Sequence, residues 1–329
     1  MKKIKKISWI LLTVVLIFLL GLLQYSKIQK LNNVQFEQNS IGNEEDNCFA
    51  IEKGDNIIIS IETVDIPFIK NSNNLYLLQK STNSLTKIKN GQICGLQFVG
   101  DYVYYTKVIK GQTLSGIYRL CLRTLKEEVF VDNINFIEKF AVIDNTLIFL
   151  NDDKLQAYNM MTNDSTIIVE NVSYFHVLNH NSIIYSSSGI VYIINFKTME
   201  IKNLFDAEKD MYKVFKETKE HILFLQGESI FNKEICIYKF ANNSYEILFK
   251  DKNILDATSL NEFLYLLTED GVYKVNDELN LQQIFACDDK KEVSFLNDYI
   301  LVLSDMRNAS TLVQLLDYDG KLCYDFVLD

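Results

Sequence analysis

Residues 100–120, GDYVYYTKVIKGQTLSGIYRL, contain two strand-like segments separated by a loop. A polar turn that ends in Asp101 precedes the aromatic run at residues 102–105, and a second apolar run begins at Ile117. Short runs of β-branched and aromatic residues bounded by turn residues are typical of β-strands. Because the same pattern returns along most of the chain, this stretch indicates a repeated structural unit.

The repeat can be followed through an apolar residue that corresponds to Val103 in each copy. Its counterparts, 36 to 46 residues apart, are Ile57, Leu147, Ile183, Ile222, Leu264 and Ile300. Two residues before the seven markers stand polar residues: Asp55, Asp101, Asn145, Asn181, Glu220, Glu262 and Asp298. Asp and Asn favour such positions because their short side chains hydrogen-bond the local backbone. A period of about forty residues is typical of propeller blades.

Each copy contains four short strands, one before the marker strand and two after it. The strand after the marker has an apolar or aromatic centre at Leu75-Tyr76, Ile117-Tyr118, Leu155 with Tyr158, Val191-Tyr192, Ile237-Tyr238, Val272-Tyr273 and Leu312-Val313. We therefore predict an all-β fold, a β-propeller of seven four-stranded blades over residues 48–329. Six or eight blades remain open, because the first copy contains a long insertion at residues 62–73. A pair of β-sandwich domains explains the pattern less well, because a sandwich does not require a four-strand unit to recur about every forty residues.

The amino terminus is predicted to anchor the chain in a membrane. Four lysines, at positions 2, 3, 5 and 6, precede the apolar stretch at residues 7–23, and no charge occurs between residues 7 and 26. This length is at the short end of what a membrane-spanning helix needs. The excess of lysines before the stretch places the amino terminus in the cytoplasm. A cleaved secretory signal is the alternative, but residues 21–26 lack a small-residue cleavage pattern.

These observations divide the chain into three parts. Residues 1–26 form a cytoplasmic basic tip and transmembrane signal anchor, residues 27–47 a polar stalk, and residues 48–329 the propeller. Part of the stalk could instead pack on the domain. The expected location is the cell membrane, single-pass, with the carboxy-terminal domain extracellular.

The charge of the chain excludes one class of partner. All six charged residues before position 31 are basic, so the remainder carries 27 basic and 43 acidic residues, a net charge of −16. A strongly acidic domain is a poor binder of nucleic acid. The negative charge is better explained by a contribution to solubility than by the binding of a cationic ligand.

The six cysteines, at positions 48, 94, 121, 236, 287 and 323, lack CxxC or framework spacing. Most lie in apolar strand patterns, where a free cysteine behaves as a small buried hydrophobe. Cys48 and Cys323 lie near the two ends of the folded region, and a bridge between them would join those ends. Sequence spacing alone leaves this bridge open.

One family resemblance is carried by Val103-Tyr104-Tyr105-Thr106 and Gly116-Ile117-Tyr118-Arg119. These segments resemble the YWTD-type propellers of low-density-lipoprotein-receptor-like proteins, and more closely the bacterial membrane-anchored propellers related to them. Lys107 stands where that repeat has an acidic residue, and Tyr105 replaces its Trp. The resemblance implies a binding platform rather than an enzyme, and it nominates no site residue.

No catalytic or metal-binding constellation is recognisable. His176 and His180 could share a metal ion on a helix, but in a strand four residues span about 13 Å. Three arginines could hold a carboxylate, as in propeller sialidases, yet Arg119, Arg123 and Arg307 are better explained as solvated strand-edge cations. We predict no catalytic residue, no metal site and no cofactor. The segment Asp317–Gly320 reads as a hairpin turn rather than a calcium loop.

The sequence thus predicts a non-catalytic binding or scaffolding module for a protein, a peptide or an envelope glycan. A concave patch is expected on the face where the loops between blades converge. The alternative is a propeller-type glycan lyase or hydrolase that uses carboxylates and tyrosines on one face. The binding residues themselves are not predicted. The loop at residues 108–115 and the neighbouring Lys107 are the first region to test, because this loop is longer than in the compact copies.

Overall fold

The computed structural model describes residues 41–43, 49–65, 70–91, 93–108, 115–134, 137–207, 209–229, 232–260, 263–276, 280–287, 291–305 and 310–328. Within these ranges every regular element is a β-strand. No helix in this described part is long and apolar enough to cross a membrane. The predicted membrane segment at residues 7–23 lies outside the described ranges, as does most of the predicted stalk.

The strands follow one another along the chain with short connections. The first half contains β1 (Ile41–Asn43), β2 (Ala50–Lys53), β3 (Asn56–Asp65), β4 (Lys70–Gln79), β5 (Ser84–Asn90), β6 (Ile93–Val99), β7 (Tyr102–Val108), β8 (Ser115–Cys121), β9 (Glu127–Ile134), β10 (Ile137–Ile143), β11 (Thr146–Asn151), β12 (Lys154–Asn159), β13 (Asp164–Glu170) and β14 (Tyr174–Asn179). The second half contains β15 (Ser182–Ser187), β16 (Ile190–Asn195), β17 (Glu200–Asp206), β18 (Asp210–Glu217), β19 (His221–Ser229), β20 (Asn232–Lys239), β21 (Ser244–Leu260), β22 (Phe263–Thr268), β23 (Gly271–Val275), β24 (Leu281–Ala286), β25 (Lys291–Phe295), β26 (Ile300–Asp305), β27 (Thr311–Leu316) and β28 (Leu322–Leu328).

The strands form antiparallel sheets of consecutive neighbours, as expected for a propeller. Four sheets have four strands, β2 to β5, β6 to β9, β14 to β17 and β25 to β28, and a fifth combines β10 to β13 with β1. The sixth sheet has seven strands, β18 to β24. In it β21 pairs with β20 through its first half and with β22 through its second half, so this strand serves two four-stranded units. We number the four-stranded units blades 1 to 7 in chain order.

The predicted repeat register is confirmed by burial and by a recurring hydrogen bond. Six of the seven marker residues are fully buried: Ile57, Val103, Leu147, Ile183, Ile222 and Ile300. In blades 1 to 5 the carbonyl oxygen of the polar turn residue accepts a hydrogen bond from the backbone N–H that follows the third strand. The donors are the N–H groups of Lys80, Leu122, Met160, Phe196 and Phe240, at 2.7–3.1 Å. The turn residue therefore satisfies backbone groups of its own blade, which explains why it recurs.

Apolar clusters lie between neighbouring blades. They join blades 1 and 2, 3 and 4, 4 and 5, 5 and 6, and 6 and 7. The first strands of neighbouring blades approach one another, as β2 and β6 or β14 and β18 do. The first strands therefore face the centre of the ring, and the fourth strands lie outside.

The ring is closed by packing between blade 7 and blade 1. Ile57, Ile59 and Tyr76 of blade 1 share a buried cluster with Leu301 and Val313 of blade 7. All four strands of blade 7 come from the carboxy-terminal end, and all four of blade 1 precede blade 2. Among the described residues, no strand from one end of the chain completes the sheet of the other.

A polar cluster reinforces this closure. The Glu52 side chain is only 1% exposed, and it accepts hydrogen bonds from the Lys80 ammonium at 2.6 Å and from the backbone N–H of Asp298 at 2.9 Å. Asn297 donates its side-chain amide to the carbonyl oxygen of Glu52 at 3.1 Å. The same Lys80 ammonium lies 3.2 Å from the Asp298 carboxylate. One buried carboxylate of blade 1 thus organises the turn of blade 7.

The segment before blade 1 enters the ring. Ile41, Gly42 and Asn43 pair antiparallel with Ile143, Val142 and Ala141, on the side of β10 that faces the centre. These three residues belong to the predicted stalk. The strand β1 also lies close to β6 and β14, the first strands of blades 2 and 4.

Replacing Glu52 by Ala should lower the free energy of unfolding by about 2–4 kcal/mol, because Lys80 and the N–H of Asp298 lose a buried partner. Urea denaturation of the purified protein measures this change. As a control, Glu246→Ala removes the exposed ion pair with Lys239 (3.1 Å) within blade 5. It should change stability by no more than about 0.5 kcal/mol. Equal effects of the two variants would contradict the closing role of Glu52.

Candidate functional site

A cleft of about 360 Å³ opens at one end of blade 6. It is lined by Phe263, Lys274, Asn276, Asn280, Leu281 and Gln282. Leu264 pairs with Val275, and Val275 pairs with Leu281, so the start of β22, the end of β23 and the start of β24 meet at one edge. Sheet register therefore brings together residues that are up to 19 positions apart in the sequence.

The cleft lies at one end of the ring. We call it the turn end, because it carries the turns between the first and second strands of each blade. The connections between blades, such as that from β24 to β25, leave from the opposite end. A concave patch was expected at that opposite end. Residues 66–69, 109–114, 288–290 and 306–309, which lie between described strands in the sequence, are outside the described residues.

An exposed aromatic ring forms one wall of the cleft. The Phe263 side chain is 40% exposed, and the Lys274 ammonium lies 3.8 Å from the centroid of its ring. The same ammonium is 5.8 Å from the ring of Tyr265, which is buried. Lys274 makes no ion pair with any described residue. An ammonium above an aromatic face is held by the ring quadrupole, so these two side chains fix each other.

The opposite rim is the turn between β23 and β24. The backbone N–H of Asn276 donates to the carbonyl oxygen of Asn280 at 3.1 Å, and the N–H of Asn280 donates to the Asn276 side-chain oxygen at 2.8 Å. These bonds close the turn and fix its position beside Gln282. The lining thus consists of an aromatic ring, one ammonium, three amides and the aliphatic side chain of Leu281.

The described lining residues offer aromatic, amide and ammonium groups for contacts with a ligand. Among these described residues no carboxylate or histidine, the usual groups for general acid–base chemistry, lines the cleft. In the sequence, Glu262 precedes Phe263, and Asp277 and Glu278 lie between Asn276 and Asn280. Three acidic residues so close in sequence to the lining residues disfavour an anionic ligand. An uncharged ligand with hydroxyl or amide groups suits the cleft best.

Phe263 was not predicted as a site residue, although its position in the repeat carries a signal. It occupies the position just before the marker, where the other copies have Asn56, Tyr102, Thr146, Ser182, His221 and Tyr299. All six alternatives carry a polar atom that can reach water, whereas Phe263 carries none. A purely apolar side chain that is exposed, at a position that is half-buried in the other copies, indicates a contact surface.

His176 and His180 do not form a shared site. His176 Nε2 lies 3.2 Å from the Glu217 carboxylate of blade 5, whereas His180 Nδ1 lies 3.3 Å from Asp144 of blade 3. Each ring therefore pairs with a carboxylate of a different neighbouring blade. Groups of three or more metal-binding side chains do not occur within the described ranges.

The sequence predicts that the three arginines are solvated strand-edge cations. This prediction is wrong for Arg119 and right for Arg123, and Arg307 lies outside the described residues. Arg119 is only 5% exposed. Its guanidinium stacks 4.3 Å from the ring of Tyr102 and 4.8 Å from that of Phe130, and it pairs with Glu128 at 2.5 Å. Arg123 is exposed and pairs with Asp101 at 2.6 Å. Arg119 is buried because its position on β8 faces blade 3, where a planar cation can stack between aromatic rings.

The remaining motifs have structural roles. Tyr104 and Tyr105 are fully buried, so their interpretation as packing residues is confirmed. Gly320 has a φ of 83° and donates its N–H to the carbonyl oxygen of Asp317 at 2.9 Å, which confirms the hairpin turn.

The Lys107 ammonium lies 3.6 Å from the Glu127 carboxylate and 5.2 Å from the centre of the Tyr118 ring. The loop that follows Lys107 lies outside the described residues.

The cysteines differ from one another in exposure. Cys236 is fully buried, as predicted, whereas Cys121 and Cys287 are half-buried and Cys323 is exposed. Cys323 is exposed because β28 is the outermost strand of blade 7. None of these four described cysteines takes part in a disulfide bond. Cys48, the suggested partner of Cys323, lies outside the described residues.

Comparisons with known proteins identify the fold and nothing finer. No protein-family model matches the sequence, and no curated protein matches it, so the resemblance to the YWTD-type family is not confirmed. The propeller domain of the Trilobed protease from Pyrococcus furiosus, described as having an open velcro topology, aligns with a TM-score of 0.59 at 14% identity, over 84% of this chain and 96% of that domain. The chain is a β-propeller.

Other propellers of similar structure have unrelated activities. The N-terminal domain of Nup159 aligns with a TM-score of 0.54 at 12% identity, over 87% of this chain and 90% of that one. An oligogalacturonate lyase in complex with manganese aligns with a TM-score of 0.53 at 12% identity, over 88% of this chain and 98% of the lyase chain. The acylaminoacyl peptidase from Pyrococcus horikoshii aligns with a TM-score of 0.58 at 14% identity, over 88% of this chain and about half (52%) of the peptidase chain. At such low identities the likeness concerns the propeller fold alone.

Arg119→Lys should lower the free energy of unfolding by about 2 kcal/mol or more, because lysine cannot stack and pair with Glu128 in the same way. Arg123→Lys, in the same blade but exposed, is the matched control and should change stability by at most about 0.5 kcal/mol. Thermal and urea unfolding measure both variants. If Arg119→Lys were as stable as the control, the buried guanidinium would have no structural role.

Acid should destabilise the domain through Glu127 and Glu128. Burial by itself would raise the pKa of each carboxyl group. Hydrogen bonds from Tyr105 to Glu127 and from Arg119 to Glu128, with nearby lysines, outweigh burial and hold both pKa values below the usual 4.5. Because the folded-state pKa is the lower one, the stabilisation is complete above about pH 4.5 and is lost as the pH falls through the folded-state values.

The corresponding measurement is the free energy of unfolding between pH 6 and pH 3. We expect a decline below about pH 4.5 that is shallower in the Glu128→Gln variant, which has no carboxyl group to titrate at that position. An identical pH dependence in the variant and the original protein would contradict the assignment.

Proposed function

We propose that the chain is a membrane-anchored, extracytoplasmic, seven-bladed propeller that binds an envelope glycan without catalysis. The observation that carries this proposal is the cleft of blade 6, in which the exposed ring of Phe263 faces the amides of Asn276, Asn280 and Gln282. Aromatic rings pack against the apolar faces of sugars, and amides bond to hydroxyl groups, so this combination recognises a neutral saccharide. A volume of 360 Å³ is at the lower end for ligand pockets and suits one or two sugar rings.

The anchor supports an envelope ligand. A lysine-rich amino terminus followed by the apolar residues 7–23 directs the chain to the membrane and its larger part outwards. An acidic domain of this kind remains soluble beside anionic lipids without binding them. The other propeller ligands considered from the sequence, a protein or a peptide, are alternative outcomes of the binding experiment.

The binding test compares the full-length protein in detergent with its Phe263→Ala variant against a panel of neutral and acidic envelope oligosaccharides. Loss of the ring should weaken binding of a neutral oligosaccharide about two- to tenfold, since stacked aromatic contacts contribute about 0.5–1.5 kcal/mol. Ile167→Ala, which removes an exposed apolar side chain of blade 3, is the matched control and should bind normally. Unchanged binding by Phe263→Ala would contradict the assignment of the cleft.

The same panel separates binding from the enzymatic alternative. Analysis of the oligosaccharides by mass spectrometry after incubation should show no cleavage. Cleaved products that disappear on mutation of carboxylates would favour the lyase or hydrolase hypothesis instead.

Sidedness can be tested with a thiol of the chain itself. The exposed Cys323 should react with a membrane-impermeant maleimide on intact cells that produce the full-length protein. Labelling should fall in the Cys323→Ser variant. Replacing Leu16, within the predicted membrane segment, by Arg should reduce the membrane-bound fraction, because a charge in the hydrocarbon core is costly. If Cys323 reacted only after lysis, the extracytoplasmic location would be wrong.

A further inference from the structure

The turns between the third and fourth strands share a backbone feature. In blades 1 to 5 each of these turns contains one residue with a φ between 49° and 60°: Asn83, Leu125, Asn163, Met199 and Asn243. Asparagine is enriched in this left-handed region because its short side chain bonds locally, whereas a bulky aliphatic residue rarely adopts it. Leu125 of blade 2 and Met199 of blade 4 are therefore unusual residues for their position.

These two side chains are also exposed to solvent. Leu125 is 50% exposed and Met199 is 47% exposed. In blade 3, between them, Met161 of the corresponding turn is 62% exposed. The corresponding turns of blades 1 and 5, residues 80–83 and 240–243, are described throughout and contain no exposed large apolar side chain. Three neighbouring blades thus carry one exposed apolar residue each, and we call Leu125, Met161 and Met199 the apolar tips.

The apolar tips lie at the end of the ring where the chain enters it. Because neighbouring strands of a blade are antiparallel, the turn between the third and fourth strands is at the same end as that between the first and second. Ile41 pairs with Ile143 at this turn end. Only residues 24–40 separate Ile41 from the predicted membrane segment, and 17 residues span at most about 60 Å when fully extended. The predicted anchor therefore connects to the domain at the end that carries the apolar tips.

The charges within the three turns suit a phospholipid surface. Residues 122–126, 160–163 and 196–199 contain three charged side chains, and all of them are basic: Arg123, Lys126 and Lys197. This bias is local, because the chain beyond residue 30 is strongly acidic. Arg123 and Lys126 also pair with acidic side chains of their own blade. Apolar side chains flanked by lysine and arginine are typical of segments that lie in a membrane interface.

We propose that the apolar tips dock on the surface of the bilayer that holds the anchor, with their side chains at the level of the lipid headgroups. This inference rests on the proposed anchor, which keeps the domain beside a bilayer. Inserting the tips removes three apolar side chains from water, which offsets the cost of the left-handed backbone at Leu125 and Met199. Blade 6 lies on the far side of the ring from blades 2 and 3, so the glycan cleft stays clear of this contact.

Fluorescence provides a selective test, because Trp9 is the single tryptophan of the chain. Trp9→Phe gives a background without tryptophan, and Met161→Trp in that background places a reporter at the tip of blade 3. The full-length protein is reconstituted into phosphatidylcholine vesicles whose acyl chains carry bromine near the headgroups, a quencher of nearby tryptophan. Fluorescence of the Met161→Trp chain should fall by about half relative to vesicles without bromine, since interfacial side chains lie about 5–10 Å into the headgroup region.

The matched control reporter is Ala241→Trp in the same background. Ala241 is exposed, and it lies two residues before Asn243 of blade 5, as Met161 lies two residues before Asn163 of blade 3. Because the turn of blade 5 has no apolar tip, this reporter should lose much less fluorescence. Equal quenching of the two reporters, or none in the Met161→Trp chain, would overturn the proposal.

The original chain separates failure of the docking from failure of the anchor. Trp9 lies within the predicted membrane segment, so brominated lipid should quench it whether or not the tips touch the bilayer. Quenching of Trp9 without quenching of the Met161→Trp reporter would leave the anchor intact and refute the docking. If Trp9 is not quenched either, the anchor is wrong and the docking proposal fails with it.

The double variant Leu125→Asn/Met199→Asn gives two readouts of opposite benefit. It places at both turns the residue type that blades 1, 3 and 5 have at this position. In detergent the thermal midpoint should rise by about 1–3 °C, because asparagine tolerates the left-handed backbone better. In vesicles the quenching of the Met161→Trp reporter should fall about twofold, because two of the three inserted side chains are lost. Unchanged quenching in the double variant would contradict the role of Leu125 and Met199.

Discussion

The packing of blade 7 on blade 1 is the contact on which the ring depends. Because each of these blades is built from one end of the chain, no shared sheet holds them together among the described residues. Side chains must supply the closure instead, and they do so through a buried apolar cluster and the carboxylate of Glu52. Separation of the two blades would expose one apolar face on each and leave Glu52 without its partners. Closure and folding are therefore expected to be one cooperative event.

The repeat was predictable because the same local contacts recur in each blade. A polar residue at the turn gives its carbonyl oxygen to the N–H that follows the third strand, and the apolar residue two positions later is buried. Both requirements lie within one four-stranded unit, so they are visible as spacing in the sequence. The joint sheet of blades 5 and 6 was not predictable in this way. The outer strand of one blade continues without a turn as the inner strand of the next, and no residue pattern marks that continuity.

The candidate site and the roles of several buried side chains could not be derived from the sequence, because they depend on strand register and packing. Arg119 looks like an exposed cation in a strand pattern, and only the rings of Tyr102 and Phe130 show why it can be buried. Phe263 looks like one more apolar strand residue until its exposure is known. Gln97, within the apolar run ICGLQFV, carries no signal that its amide lacks partners. Local pattern gives the side-chain type, whereas tertiary neighbours determine its role.

The cleft and the point at which residues 41–43 join β10 lie at the same end of the ring. Ile41 pairs with Ile143, the last residue of β10 before a turn, so the chain enters the channel at the turn end. Phe263 follows the connection between β21 and β22 at that same end. Here the turns are short and closed by backbone and Asn or Asp side-chain bonds, as in the rim formed by Asn276 and Asn280. A short, bonded turn loses little conformational freedom when a ligand binds, so this end is preorganised for recognition.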